Sequence, residues 1–199
     1  MTRLAVLAAL LVLVAACGGG GAPGSAYGTG PITTGGVATA TPTPPPSPSP
    51  SGAADTATVE LEKGGSFTIS LRPDKAPNTV ANLVKKANAG DYDGTAFHRV
   101  VPGFVAQGGD PLSKTDPARA GTGGGKQPTE LNDLPFVKGA VGIARGGDIK
   151  VSNDAQFYVV LADAPHLNGQ YTNFGTVTSG LDVADKVARG DKIKTITIE

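Results

Sequence analysis

Alternating apolar and polar residues mark a series of short strands in the last three quarters of the chain. The alternation runs through residues 57–61 and, after Lys63-Gly64-Gly65, continues through residues 67–71. Successive side chains of a strand point to opposite faces, so this pattern predicts a hairpin. Short apolar runs predict six further strands: Phe97–Val101, Phe104–Gln107, Ala140–Ala144, Gln156–Val160, Phe174–Val177 and Ile193–Ile198.

Two segments instead carry apolar residues at helical spacing. The first covers residues 80–87, with Asp74 as a plausible N-cap, Pro77 in the first turn and Gly90 beyond the end. The second runs from Leu181 to Ala188. Many short strands with two helices favour a mainly β fold, a closed antiparallel barrel rather than a doubly wound sheet.

The N-terminus resembles a secretory signal. Leu4 to Ala16 form an apolar run of 13 residues, shorter than the about 20 that a membrane-spanning helix needs. The ending Val14-Ala15-Ala16-Cys17 resembles the bacterial lipobox, in which the cysteine is lipidated and becomes the mature N-terminus. We therefore expect residues 1–17 to be a lipoprotein signal peptide and Cys17 to anchor the protein to a bacterial membrane, outside the cytoplasm. The alternative is an ordinary signal peptide that contains a cysteine.

Residues 18–55 differ sharply in composition from the rest. They hold 10 of the 29 glycines, 8 of the 16 prolines and a single charged residue, Asp55. Such a segment has too few apolar residues to offset the entropy of ordering. We predict a disordered tether that spans from about 35 Å as a flexible coil to roughly 120 Å when stiff. A proline-rich docking ligand is the alternative. The remaining residues, 56–199, form one domain of ordinary size.

Charge and composition exclude several classes of function. The chain has 17 basic and 17 acidic side chains and a formal net charge of zero, which argues against nucleic acid as a partner. One cysteine and two histidines cannot build a disulfide framework or a thiolate zinc site. We therefore expect no metal. His98 and His166 lack a nearby ligand set in the sequence.

Three blocks of sequence carry the functional signal. Residues 97–111 read FHRVVPGFVAQGGDP, residues 139–145 read GAVGIAR before AQFY at 155–158, and residues 166–171 read HLNGQY. In this order and spacing the blocks are similar to cyclophilin-type peptidyl-prolyl cis-trans isomerases. The resemblance covers essentially residues 56–199. It implies a closed eight-stranded antiparallel barrel with two short capping helices, and rotamase activity on X–Pro bonds of exported or envelope proteins, without a cofactor.

The resemblance also implies a site. Arg99, Phe104 and Gln107 match the catalytic positions. Arg99 would supply a fixed cation to the twisted amide, and Gln107 would bond the substrate backbone. The positions that match substrate-binding residues are His98, Val105, Ala144, Arg145, Gln156, Tyr158, His166, Leu167 and Tyr171. A cyclophilin-fold chaperone or peptide-binding module that has lost turnover is the alternative, although all three catalytic positions are retained. We expect a monomer.

Three positions depart from the family pattern. Arg145 stands where the family typically has Asn, and Val105 stands where many members have Met. The smaller and stiffer Val105 would alter the shape of the proline slot. His166 stands where cyclosporin-sensitive members carry Trp, so one apolar contact for that drug is missing.

We therefore predict weak cyclosporin binding. Inhibition of the isomerase should require concentrations well above the low nanomolar range, because His166 offers less apolar surface than an indole. An inhibition curve on an Ala-Pro peptide measures this directly, and His166→Trp should shift it to lower concentration. Half-maximal inhibition of the unaltered protein at low nanomolar cyclosporin would contradict the prediction.

Overall fold

The computed structural model describes residues 56–199. The signal peptide, Cys17 and the tether lie outside the described residues, so the expectations for them stay predictions. None of the helices between residues 56 and 199 has the length and apolar character that crossing a bilayer requires.

Between residues 56 and 199, nine strands form a single antiparallel sheet. Eight of them follow the order β3-β4-β7-β6-β8-β2-β1-β9, and β5 pairs with β7 beside this path. Their bounds are β1 (Thr56–Leu61), β2 (Ser66–Leu71), β3 (Arg99–Val101), β4 (Val105–Gly108), β5 (Lys126–Pro128), β6 (Ala140–Arg145), β7 (Val151–Val160), β8 (Asn173–Ser179) and β9 (Ile193–Ile198).

Three short α-helices and two 3-10 turns connect the strands. The helices are α1 (Pro77–Asn88), α2 (Leu112–Thr115) and α3 (Leu181–Asp185), and the turns are Pro117–Arg119 and Pro165–Leu167. The mainly β class is thus confirmed, as are all eight strands foreseen in the sequence. The short elements β5 and α2 were not foreseen, and α3 ends at Asp185 rather than Ala188.

The predicted hairpin is confirmed in position and register. In the β1–β2 pair Val59 lies opposite Phe67 and Ala57 opposite Ile69. These four side chains are almost fully buried in the main core. Both strands place their apolar side chains on one face. This fixes the register of the pair, because a slip by one residue would turn all of these side chains to solvent.

The sheet is curled into a half-barrel with two end strands, β3 and β9. The segments that precede these two strands meet in one isolated bridge, Ala96 to Lys192. Further backbone bonds join them, including Phe97 N–H to Asp191 O at 2.8 Å and Ile193 N–H to Thr95 O at 2.8 Å. The two ends of the curled sheet are therefore held together where the functional segment begins.

Strand β7 is buried on both faces, which divides the apolar interior into two clusters. Phe157 and Val159 belong to the main core, together with Val80 and Leu83 of α1. Their neighbour Tyr158 belongs to a second cluster, whose other buried members are Val105, Phe136, Ala140, Val160, Ala164 and Leu167. Alternation along one strand thus links the core to a separate apolar patch on the other side of the sheet.

The N-terminus of α1 is capped differently from the prediction. Asp74 is not the N-cap: that position is Ala76, which makes no side-chain cap bond. Asp74 instead accepts two hydrogen bonds from the Arg72 guanidinium, at 2.8 and 2.7 Å, which lowers the pKa of its carboxyl. The C-terminal prediction is confirmed, because Gly90 follows the helix with φ of 71°.

A distant glutamate caps α1. One carboxylate oxygen of Glu130 accepts a hydrogen bond from the backbone N–H of Asn78 at 3.0 Å. The other accepts two hydrogen bonds, from the backbone N–H of Thr79 at 2.8 Å and from the Thr79 Oγ1 hydroxyl at 2.7 Å. The first backbone N–H groups of a helix lack partners within it, and a negative charge there is also favoured by the helix dipole. Glu130 lies 51 residues from Thr79, so local sequence could not reveal it.

We predict that Glu130→Ala lowers the free energy of unfolding by about 1–2 kcal/mol, because the first turn of α1 loses its cap. Urea denaturation followed by circular dichroism measures the change. Glu62→Ala removes an exposed glutamate and should alter stability by less than about 0.5 kcal/mol. Equal midpoints for the two variants would show that Glu130 does not cap the helix.

Candidate active site

A small cleft opens over the second apolar cluster. It has a volume of about 240 Å³ and is lined by nine residues: Arg99, Phe104, Val105, Gln107, Ala144, Arg145, Tyr158, Leu167 and Tyr171. All nine were among the twelve site residues predicted from the sequence. Strands β3, β4, β6 and β7, the turn before β4, the 3-10 turn at residues 165–167 and the loop after it bring them together.

The floor of the cleft is apolar and rigidly packed. Val105, Tyr158 and Leu167 are each at least nine-tenths buried. The Tyr158 ring stacks on Phe136 with centroids 5.9 Å apart and meets Tyr171 edge-on at 6.0 Å. Burial raises the pKa of the Tyr158 phenol, so this ring stays neutral. Such a surface can hold a small apolar ring.

Close packing beneath Tyr158 requires a glycine. A Cβ at Gly142 on β6 would lie 2.5 Å from the Tyr158 hydroxyl and 2.7 Å from the Phe136 ring. These are distances that van der Waals repulsion forbids. The absence of a side chain at Gly142 therefore sets how deep Tyr158 can sit, and so sets the floor of the cleft.

Arg99 stands at the edge of this apolar surface. It lies on β3 opposite Gln107 of β4, and its guanidinium carbon is 5.9 Å from the centre of the Phe104 ring. Within residues 56–199 it forms no salt bridge and no side-chain hydrogen bond. The guanidinium is permanently charged and offers five N–H groups in a rigid fork. An uncommitted cationic donor thus faces the cleft.

A chain of hydrogen bonds fixes the orientation of Gln107. Its Nε2 donates to Gln156 Oε1 at 3.0 Å, and Gln156 Nε2 donates to Asp110 Oδ2 at 3.2 Å and to Gly123 O at 2.8 Å. A carboxylate only accepts. Asp110 therefore forces the amide nitrogen of Gln156 towards itself, which in turn directs the Gln107 nitrogen to Gln156. The Gln107 carbonyl oxygen is left free for a ligand.

Asp110 itself is fully buried. Its carboxylate accepts hydrogen bonds from three backbone N–H groups, those of Leu112 at 2.7 Å, Gly123 at 3.0 Å and Gly121. It also accepts one from the side-chain amide of Gln156. Burying an unpaired charge is costly unless hydrogen bonds replace its hydration. Three of the donors are 11 to 46 residues away along the chain, so no local signal in the sequence indicates this role.

Three predicted site residues lie outside the 240 Å³ cleft. His98 lines a neighbouring cavity of about 410 Å³ with Arg99, Gln107 and Arg189. Burial lowers the pKa of its ring. Gln156 lines another, of about 440 Å³. His166 stacks on Phe104 with ring centroids 5.4 Å apart and therefore supports the wall of the cleft.

Arg145 is held in place more firmly than its exposure suggests. Its guanidinium carbon lies 4.5 Å from the centre of the Tyr171 ring. Nε donates to Gln170 O at 2.8 Å, and Nη1 donates to Gly146 O at 2.9 Å and to Gly147 O at 3.4 Å. It lines both the 240 Å³ cleft and the 440 Å³ cavity.

Metal ligands are not grouped in this domain. Among residues 56–199, no three His, Cys, Asp or Glu side chains lie close enough together to hold a metal ion.

The fold and the cleft define the class of protein: a curled β-sheet with a cation at the edge of an apolar slot. Comparison with known proteins shows the family to which the chain belongs. The model of the family described as cyclophilin type peptidyl-prolyl cis-trans isomerase/CLD matches residues 56–199. The chain belongs to this family, and its enzyme class is peptidyl-prolyl cis-trans isomerase. Rotation about prolyl peptide bonds is thus the reaction to be explained.

Named relatives agree with this assignment. The chain is 44% identical over 156 residues to a probable peptidyl-prolyl cis-trans isomerase of Brucella suis, covering 69% of this chain and 79% of that protein. It is 45% identical over 143 residues to peptidyl-prolyl cis-trans isomerase B of Bacillus subtilis, covering 70% and 94%.

Solved structures confirm the fold. A cyclophilin of Cryptosporidium parvum, crystallised in the presence of the dipeptide Ala-Pro, matches with a TM-score of 0.64 at 23% identity, covering 72% of this chain and 98% of that one. A second crystal structure of the same cyclophilin gives a TM-score of 0.65 at 24% identity, covering 73% of this chain and 97% of that one.

We predict that Asp110→Asn impairs the isomerase as well as the fold. An amide in place of the carboxylate removes an acceptor and adds a donor, so the Gln156 and Gln107 amides lose their fixed orientation. We expect a loss of about 1–3 kcal/mol in stability and a fall in kcat/KM at a temperature where the variant is still folded.

Asp154→Asn is the matched control. The Asp154 carboxylate also accepts a hydrogen bond from a loop, from the backbone N–H of Gly125 at 2.6 Å, and it forms a salt bridge with Lys86 at 3.5 Å. Within residues 56–199 it forms no hydrogen bond with the side chains of Gln107 or Gln156. It should lose stability while retaining kcat/KM. If both variants lose activity only in proportion to unfolded protein, Asp110 does not position Gln107.

Proposed function

We propose that this isomerase acts on X–Pro bonds of exported or envelope proteins and assists their folding, with Arg99, Phe104 and Gln107 as its catalytic residues. The observation that carries the proposal is the unpaired Arg99 guanidinium at the rim of an apolar slot. The reaction needs a site of this kind. The other residues of the predicted set would bind the substrate around it.

The barrier in this reaction is electronic. An amide is planar because the nitrogen lone pair is delocalised into the carbonyl, and rotation costs about 18–20 kcal/mol. The cis and trans forms of an X–Pro bond differ by only about 0.5–1 kcal/mol, yet they exchange in tens to hundreds of seconds. No bond is made or broken overall, and no proton is transferred. The catalyst must only favour the twisted amide over both planar forms.

Arg99 is suited to that task. In the twisted amide the nitrogen becomes pyramidal and regains its lone pair, which can accept a hydrogen bond that a planar amide cannot. A fixed cationic donor is therefore bound more strongly in the transition state than in the ground state. Val105, Tyr158 and Leu167 would hold the proline ring while the preceding carbonyl swings, and the free oxygen of Gln107 would accept a backbone N–H of the substrate.

The proposal includes closure of the curled sheet into a barrel next to Arg99. It is supported by the bridge between Ala96 and Lys192 and by the bonds on either side of it. Because this junction directly precedes β3, it would restrain the strand that carries Arg99. Restraint matters, since a donor that is well placed before the reaction costs no reorganisation during it.

The proposed location is the outer side of a bacterial membrane. Support comes from the lipobox-like ending at Cys17 and from the Gly- and Pro-rich composition of residues 18–55. Together they support a lipid-anchored catalytic domain on a tether long enough to reach polypeptides emerging near the membrane. Proline-containing segments of such polypeptides are the proposed substrates.

We predict that Arg99→Ala lowers kcat/KM by about 10²–10³, the value of one well-placed donor to a charge-rich transition state. Arg99 is exposed and unpaired, so the unfolding midpoint should stay unchanged. A protease-coupled assay on an Ala-Pro peptide gives the rate. Arg119→Ala removes another exposed arginine, outside the cleft, and should keep full activity. Full activity of a folded Arg99→Ala variant would refute the catalytic assignment.

A further inference from the structure

The charges around the cleft are distributed unevenly. The domain of residues 56–199 has 16 basic and 16 acidic side chains. The 240 Å³ cleft and the two cavities beside it, of about 440 and 410 Å³, are lined by four permanently or normally cationic residues, Arg99, Lys126, Arg145 and Arg189, and by one acidic residue, Asp148. A neutral domain thus concentrates positive charge at its substrate site.

Within residues 56–199 these four cations form no salt bridge. The salt bridges of residues 56–199 use other basic side chains: Lys63, Arg72, Lys75, Lys86, Lys138, Lys186 and Lys194. The buried carboxylate of Asp110 lies near, but its bonds go to backbone and amide N–H groups. The positive charges around the cleft are therefore available to a ligand.

The three cavities adjoin one another. Gln107 lines all three, Arg99 joins the 240 and 410 Å³ cavities, and Arg145 joins the 240 and 440 Å³ cavities. A peptide whose proline occupies the central slot would extend into both neighbours. A strand advances about 3.3 Å per residue, so the residues on either side of the X–Pro pair would come close to the basic linings.

Arg145 is the cation best prepared for an anion. Stacking on Tyr171 and bonds from Nε and Nη1 to three carbonyl oxygens fix the guanidinium plane. The two N–H groups of Nη2 have no partner among residues 56–199. Because the side chain is already ordered, binding a carboxylate would cost little further entropy. Arginine N–H groups also match carboxylate geometry better than a lysine does.

We infer that the site selects proline-containing segments that carry Asp or Glu beside the X–Pro pair, with Arg145 as the main determinant. This inference rests on the proposed isomerase function and specifies its substrates. Arg145 is then a specificity residue: it attracts the flanking carboxylate and takes no part in twisting the amide. Long-range attraction by the other three cations would add to the same preference.

Three peptides of one design test the inference. Blocked hexapeptides Ala-Xaa-Ala-Pro-Xaa-Ala, with Xaa as Glu, Gln or Lys, place the charge on both sides of the proline, so the direction of binding does not matter. Catalysed exchange is measured by NMR without a coupling protease, and affinity is measured by titration of the same samples. We expect kcat/KM for the Glu peptide to exceed that for the Gln peptide by about two- to fivefold, as for partly exposed ion pairs.

Changes in salt concentration and substitutions at Arg145 test whether charge causes the preference for the Glu peptide. In 1 M NaCl, where the Debye length is about 3 Å, the preference should shrink. Arg145→Gln should reduce the Glu-to-Gln ratio about two- to threefold, whereas Arg145→Lys should keep most of it. Lys85→Gln removes the same charge from an exposed site on α1 that lines none of the three cavities. It should leave the ratio unchanged.

The outcomes separate the two proposals. Equal rates and equal affinities for the three peptides, or a ratio that Arg145→Gln does not change, would overturn the inference while leaving the isomerase function intact. If no peptide is turned over, the proposed function fails. Tighter binding of the Glu peptide, lost in Arg145→Gln, would still support charge selection by the cleft.

Discussion

One buried carboxylate holds the candidate active site together. Asp110 has no ionic partner in the part of the chain that the structure describes, and four N–H groups that surround it make its charge tolerable. Those donors come from the loop at Gly121 and Gly123, from the turn at Leu112 and from β7 through Gln156. The need to satisfy one charge thus ties three separate segments to a single point. The same charge sets the direction of the amide chain that leaves the Gln107 oxygen free.

The cleft is rigid because it shares its strands with the core. Phe157 and Tyr158 are neighbours on β7, yet the first packs in the main core and the second forms the floor of the slot. Gly142 on the adjacent strand allows Tyr158 to lie close to the sheet. A displacement of the slot would therefore disturb the core as well. A catalyst that acts by favouring one amide geometry benefits from this stiffness.

The chemistry also explains which positions can vary. No proton moves in the reaction, so the partly buried His98, whose pKa is lowered by burial, is not needed as an acid or base. Three residues depart from the family pattern: Val105, Arg145 and His166. Each affects the shape or the charge of the cleft and leaves the cationic donor at Arg99 in place. We expect these departures to change which peptide or drug fits, whereas the proposed donor to the twisted amide, Arg99, and the apolar slot are retained.

The sequence was enough to predict eight of the nine strands, a set of candidate site residues and the family resemblance, because each depends on local spacing or on short motifs. Nine of the twelve predicted site residues line one cleft. The tertiary structure alone decided what Asp110, Glu130 and Arg145 do. The bonding partners of Asp110 and Glu130 lie up to 46 and 52 residues away, and Arg145 acquires its setting from Gln170 and Tyr171. Alternation of side chains can be read along the chain, whereas hydrogen bonds between distant segments exist only once the sheet has curled.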